Sequence, residues 1–170
     1  MKVLIVGGAR SGKSRFALEL AKRLGGKVLF VATASPKDEE MRKRIEEHKK
    51  RRPRDFETLE VERGVYKELS KIKGYDTIVI DCISILVANI MGDREEGFEE
   101  DVWEEIKGLS GIMEGRNFVL VSNEVGMGVV PPSPLGRAYR DILGEVNQFL
   151  SSICDEVYFM LSGVPLKLKS

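Results

Sequence analysis

The run Gly7-Gly8-Ala9-Arg10-Ser11-Gly12-Lys13-Ser14 satisfies the pattern G-x-x-x-x-G-K-[ST] at every position. It constrains the fold more than any other stretch, because the pattern works only as the turn between a strand and a helix. Both flanks supply that setting. Residues 2–6 are mainly apolar and read as a strand, and residues 11–24 put Phe16, Leu20 and Leu24 on one helical face. The glycines let the backbone curl until several N–H groups aim at one anion, and the helix N-terminus adds its positive end. Lys13 then reaches toward the terminal phosphates of ATP or GTP, and the Ser14 hydroxyl can complete the coordination of Mg²⁺. A glycine-rich turn that holds nothing is the bland alternative.

The remaining pattern agrees with this start. Apolar runs rich in Val and Ile at residues 27–32, 58–61, 77–81 and 116–122 read as strands, and 156–161 with 165–169 as a terminal pair around Ser162-Gly163. Helical spacing covers residues 37–51, 65–73, 84–91, 98–113 and 135–153. No repeat or linker divides the 170 residues, so a single domain over 1–170 is expected. The fold class is α/β: a P-loop NTPase with a RecA-like, mainly parallel sheet, helices on both faces and ligands at the strands' C-terminal edge.

Composition removes several functions. Lys and Arg total 27 against 27 Asp and Glu, which gives no general attraction to nucleic acid or to an anionic membrane. Residues 82–91 form the longest apolar run, yet it is broken by Ser84 and Asn89 and falls short of the roughly 20 residues a spanning helix needs. The N-terminal apolar stretch is too brief for a secretory signal, so a cytoplasmic location is expected. Cys82 and Cys154 lack metal-site spacing and read as small buried residues.

A phosphate loop of this kind wants an acid at a neighbouring strand end. Thr77-Ile78-Val79-Ile80-Asp81 ends on a carboxylate, so Asp81 is the candidate to hold Mg²⁺ through water; its alternative role is capping the next helix. A guanine-nucleotide switch would show N-K-x-D, which is missing, and Asp141-Ile142-Leu143-Gly144 lies within a helical pattern. The chain's one histidine lies in a segment where charged residues fill 16 of the 21 positions from 37 to 57. Met41, Ile45, His48 and Arg52 are spaced to share one helix face, within about 60° at 100° per residue. Met41 and Ile45 are expected to anchor that face and turn His48 inward. The basic run Lys49-Lys50-Arg51-Arg52 disfavours the imidazolium and keeps an attacking, neutral ring available. The same cations suit a triphosphate and a departing pyrophosphate. A structural or incidental histidine is the competing reading.

With these motifs the sequence resembles the bifunctional adenosylcobinamide kinase/adenosylcobinamide-phosphate guanylyltransferase family of cobalamin biosynthesis. The likeness runs nearly end to end. It takes in the glycine-rich loop with Arg15, Ala32-Thr33, Asp38-Glu39-Glu40-Met41, Arg44-Ile45, His48-Lys49 and Arg52-Pro53. Thr58-Leu59-Glu60, Asn123-Glu124-Val125-Gly126-Met127-Gly128 and Gly144-Glu145-Val146-Asn147-Gln148 continue it. The resemblance implies phosphorylation of adenosylcobinamide by ATP or GTP, then transfer of GMP from GTP through a histidine-bound intermediate to adenosylcobinamide phosphate. It maps the nucleophile onto His48. It implies nucleotide contacts at residues 7–14, at Ala32, Thr33 and Ala34, at Lys49, Lys50, Arg51 and Arg52, and at Glu60 and Asp81. It also implies a homo-oligomer, a trimer in the family.

Asn123 and Glu124 follow an expected central strand; they either orient the acceptor or a metal-bound water, or simply cap the sheet with a polar turn. Residues 126–132 look like a binding loop. A generic P-loop small-molecule kinase and a RecA-type regulatory ATPase are the competing functions.

Overall fold

The protein is described from a computed structural model, which covers residues 1–36 and 39–170, the side chains of residues 41 and 44 excepted. The expected helix at 37–51 is observed as Glu39–Arg51, and its first two residues lie outside the described ones.

Seven strands make one sheet in the order β3-β2-β4-β5-β1-β6-β7. They are β1 (Lys2–Gly7), β2 (Val28–Ala32), β3 (Glu57–Glu60), β4 (Thr77–Asp81), β5 (Asn117–Asn123), β6 (Glu156–Leu161) and β7 (Val164–Lys169). Every pairing is parallel except β6 with β7, the hairpin that the Ser162-Gly163 turn foretells.

Strand residues alternate between two apolar layers, which is why the inner strands read as nearly unbroken hydrophobic runs. Val3, Ile5, Phe30, Val79 and Val121 face one layer with α1 (Lys13–Leu24). Leu4, Val31, Ile80 and Leu120 face the other, under α3 (Val65–Lys71), α4 (Ile83–Met91), α5 (Glu99–Gly111) and α6 (Pro134–Ile153). The remaining helix, α2 (Glu39–Arg51), is the most charged. Local signals set the ends of these helices. Ser133 accepts from the Gly136 N–H and Pro134 opens α6, a strong start signal. Asp141 lies inside α6, so the D-x-x-G match has no loop context. The outer strands depart from the expectation of strands buried on both faces: β3 and β7 are largely exposed because each has only one neighbour.

Candidate active site

The C-terminal ends of β1, β2, β4 and β5 open on a cavity of about 340 Å³. That volume suits a small ligand such as a nucleotide. Its floor is the glycine-rich loop. Gly12 sits at φ 95° and supplies no side-chain cap to α1, which leaves the helix's first N–H groups for an anion. Gly7 is needed for close packing, since a Cβ there would meet the Met160 carbonyl oxygen at 2.7 Å. The tip of the β6–β7 hairpin supports the loop from outside, the Gly163 N–H donating to the Ser11 carbonyl at 3.0 Å. Lys13 lies almost buried, its Nζ donating to the Gly8 carbonyl at 2.6 Å. Burial pulls the Lys13 pKa down, opposed by the charges of Cys82 and Asp81.

Asp81 closes β4 and faces this lysine. It does not cap α4, which starts without any side-chain cap. Burial raises the Asp81 pKa, while a hydrogen bond from the Ser14 hydroxyl and the charges of His48, Arg52 and Lys13 oppose the rise. Asp81 Oδ2 is buried with no hydrogen-bond partner among the described residues. A hydroxyl beside a carboxylate with a spare oxygen is a donor set that fits a hard divalent cation.

The last turn of α2 forms the far wall. His48 is half exposed, its side chain 46% accessible, and its Nδ1 stands 3.9 Å from Asp81 Oδ2. Arg52 places its guanidinium over the Phe30 ring at 4.2 Å and reaches Thr58 Oγ1 at 3.4 Å. Burial lowers the Arg52 pKa, against the pull of Asp81 and Glu60.

The predicted basic run does not act as one surface. Arg52 lines the cavity, whereas Lys49 pairs with Glu60 at 2.5 Å. Arg51 borders a smaller recess beside Ser14, and Lys50 is exposed and lines neither. The helix period explains this split, because four consecutive residues cover a full turn. Ile45 is partly buried and lines the cavity, and the Met41 side chain is outside the described residues.

Of the other expected residues, Ala9, Arg10, Ser11, Gly12, Lys13, Ser14, Ala32, Ala34, Glu60 and Asn123 border the cavity. Gly7, Gly8 and Thr33 do not line it. Glu124 does not line it, and its carboxylate accepts the Gly126 N–H at 2.6 Å.

Thr33 is fully buried below the cavity. Its hydroxyl donates to the Cys82 carbonyl at 2.8 Å and accepts the Cys82 N–H at 2.9 Å. Asn89 of α4 donates to the carbonyls of Thr33 at 2.8 Å and Glu62 at 3.2 Å. These contacts lace the ends of β2 and β4 together beside Asp81. Sequence reading noticed Asn89 only as an interruption in an apolar run. A lone amide in an otherwise apolar helix is itself a signal, because a buried amide needs partners. The apolar wall of Phe30, Ile85 and Val121 was also not foreseen as part of the site.

Residues 3–168 match the family described as cobinamide kinase / cobinamide phosphate guanyltransferase. The chain belongs to this family. It is 36% identical over 182 residues to the bifunctional adenosylcobalamin biosynthesis protein CobU of Escherichia coli (strain K12), covering 99% of this chain and 100% of the relative. It is 39% identical to the CobP protein of Pseudomonas aeruginosa, over 99% of this chain and 98% of the relative. Identity to CobU of Salmonella typhimurium is 38%, with coverage of 99% and 100%. In fold alone it is similar to the RadB recombinase, with a TM-score of 0.53 at 15% identity over 93% of this chain and 73% of that one. A Pyrococcus horikoshii OT3 protein gives a TM-score of 0.55 at 12% identity over 99% of this chain and 86% of that one. The α/β P-loop NTPase fold read from the sequence is the fold found, and the family is the one the sequence resembles. Among the described residues, no helix is long and apolar enough to cross a membrane.

Proposed function

We propose that this chain performs both reactions of its family in this one cavity, with His48 as the covalent carrier of GMP. In the kinase step the hydroxyl oxygen of adenosylcobinamide attacks the γ-phosphorus of ATP or GTP. The bond to the β-bridging oxygen breaks, the nucleoside diphosphate leaves, and the hydroxyl proton passes to solvent. Lys13 and the N–H groups of the loop hold the phosphates and stabilise the charge that develops on them. Mg²⁺, held by Ser14 and through water by Asp81, would supply further charge neutralisation.

In the transfer step a nitrogen of His48 attacks the α-phosphorus of GTP, and the bond to the departing pyrophosphate breaks. A phosphate oxygen of adenosylcobinamide phosphate then attacks the same phosphorus, the P–N bond breaks, and adenosylcobinamide-GDP leaves with the ring restored. Nδ1 faces Asp81, which leaves Nε2 as the attacking atom, and Asp81 favours the positive charge on the ring as the bond forms. Arg52, the one cation of the basic run that lines the cavity, neutralises the leaving pyrophosphate. The cavity-lining residues at 9–14, Ala32, Ala34, Glu60 and Asp81 hold the nucleotide in this reading.

The supporting observation is that His48 and Lys13 border one cavity, with Asp81 between them. Incubation with Mg²⁺ and GTP labelled at the α- or γ-phosphorus tests it. The expected outcome is acid-labile α-label on the denatured protein, absent from His48→Ala. A plain kinase retains no α-label, and an ATPase retains none while releasing the γ-label as inorganic phosphate rather than pyrophosphate; either result rejects the covalent step. The enzyme is expected to assemble as a homo-oligomer, measurable by sedimentation, and to work in the cytoplasm.

A further inference from the structure

The cavity that borders the phosphate loop, at about 340 Å³, is on the scale of a nucleotide. A corrinoid macrocycle is far larger than a nucleotide. Only the tip of its hydroxyl-bearing arm fits inside, and the ring must lie on the rim.

One stretch at the C-terminal edge of the sheet, directly after the cavity-lining end of β5, is set apart. β5 ends at Asn123, which lines the cavity, and the chain then runs through Glu124 into Gly126-Met127-Gly128-Val129-Val130-Pro131-Pro132. These seven positions carry no charge in a chain that is 32% charged. Met127 is 79% exposed, Val129 93% and Val130 58%. Exposed apolar side chains clustered beside a pocket mark a contact surface.

The loop is held at both ends. The Glu124 N–H donates to the Gly7 carbonyl at 3.0 Å, joining the loop's first stem to the phosphate loop. The Glu124 carboxylate takes the Gly126 N–H. Asn147 of α6 donates to the Asn123 carbonyl at 3.0 Å, and Arg137 donates to the carbonyls of Pro131 at 3.1 Å and Pro132 at 2.7 Å. The apolar side chains therefore project from a fixed frame. The other exposed apolar row, Val164, Leu166 and Leu168 on β7, lies at the outer edge of the sheet, three strands from β5.

Resting on the functional reading above, we propose that residues 126–132 are the docking platform for the acceptor's macrocycle, with Met127, Val129 and Val130 as its apolar contact. A methyl- and amide-fringed ring matches an uncharged rim of this kind; a nucleic acid or an acidic peptide would need cations there. Glu124 and Asn147 are positioning residues that hold the platform against the phosphate loop.

The test has two arms. In the first, Met127→Ser/Val129→Ser is compared with the unaltered protein in steady-state phosphorylation of cobinamide. The KM for cobinamide is expected to rise about tenfold as buried apolar contact is lost, with the KM for the nucleotide within about twofold. In the second, amide hydrogen exchange of the unaltered protein is followed with and without saturating dicyanocobinamide. Peptides spanning 125–133 are expected to slow. An unchanged KM for cobinamide, or unchanged exchange in that segment, overturns the platform. A parallel rise of both KM values also overturns it, since the loop then serves the nucleotide. A variant that loses self-association while keeping both KM values shows a contact between copies instead, again overturning the proposal. If the unaltered protein phosphorylates no cobinamide at all, the functional reading fails first and the platform falls with it.

Discussion

Replacing Asn89 by leucine isolates the contacts that bind the ends of β2 and β4. Leucine is close to asparagine in size, so the change leaves little cavity but removes both donors. The Thr33 carbonyl is buried and loses its 2.8 Å partner, while the Glu62 carbonyl loses a longer 3.2 Å contact in a partly wet position. An unsatisfied buried acceptor costs about 1–3 kcal/mol, and the second, wetter one sits at the low end. The apolar burial gained by leucine offsets roughly 1–2 kcal/mol of this. The net expectation is a loss of about 2 kcal/mol, or roughly 4–8 °C in Tm for a chain of this size. Urea unfolding and a thermal scan measure it. The Thr33 hydroxyl bridges the backbone of Cys82 next to Asp81, so the KM for nucleotide should also rise a few-fold. Unfolding free energies that agree within about 0.5 kcal/mol would refute the bookkeeping, because at least one buried carbonyl must then find another donor.

Two further outcomes follow from particular contacts. Gly7→Ala drives a Cβ to 2.7 Å from the Met160 carbonyl, whereas Gly8→Ala meets nothing within 4 Å. The first should cost about 1–3 kcal/mol of stability and weaken nucleotide binding, and the second should stay within about 0.5 kcal/mol in stability, both read by urea titration. Glu105 accepts the N–H groups of Gly64 and Tyr66 at 2.9 and 3.0 Å, capping α3 from α5. Burial raises its pKa above the ordinary 4.5, against the pull of those backbone amides. Because the folded value is the higher one, the folded state holds the proton more tightly, and this stabilisation is lost as pH rises from about 4.5 through the folded value. The stability of the unaltered protein relative to Glu105→Gln should fall across that window and be level below it, as measured by unfolding at stepped pH.

Much of the fold was legible because strand and helix signals were local. The glycine-rich loop fixed β1 and α1, and Ser162-Gly163 marked the hairpin. Helical spacing over 135–153 located α6 to within one residue of its start. The site was legible in part. Gly12, Lys13, Ser14 and Asp81 come together as their motif suggests, and His48 reaches the same cavity. The basic run was harder to read, since a count of cations says nothing about where each one points. Lys49 turns to Glu60 and Arg52 to Phe30, partners that sequence spacing does not show. Glu124, read as either an acceptor contact or part of a polar turn, accepts the Gly126 N–H, a contact that spacing alone does not show.

By itself the sequence determined the kind of fold, because this depends on short-range patterns of glycine and apolar spacing, and its motifs carried the resemblance to the family. The tertiary structure alone decided which residues share a wall. Thr33 lies 49 residues before Cys82 and 56 before Asn89, and the parallel register of β2 against β4 brings it to both of them beside Asp81. Side-chain partnership across strands follows from packing in three dimensions, and a linear pattern carries no record of it.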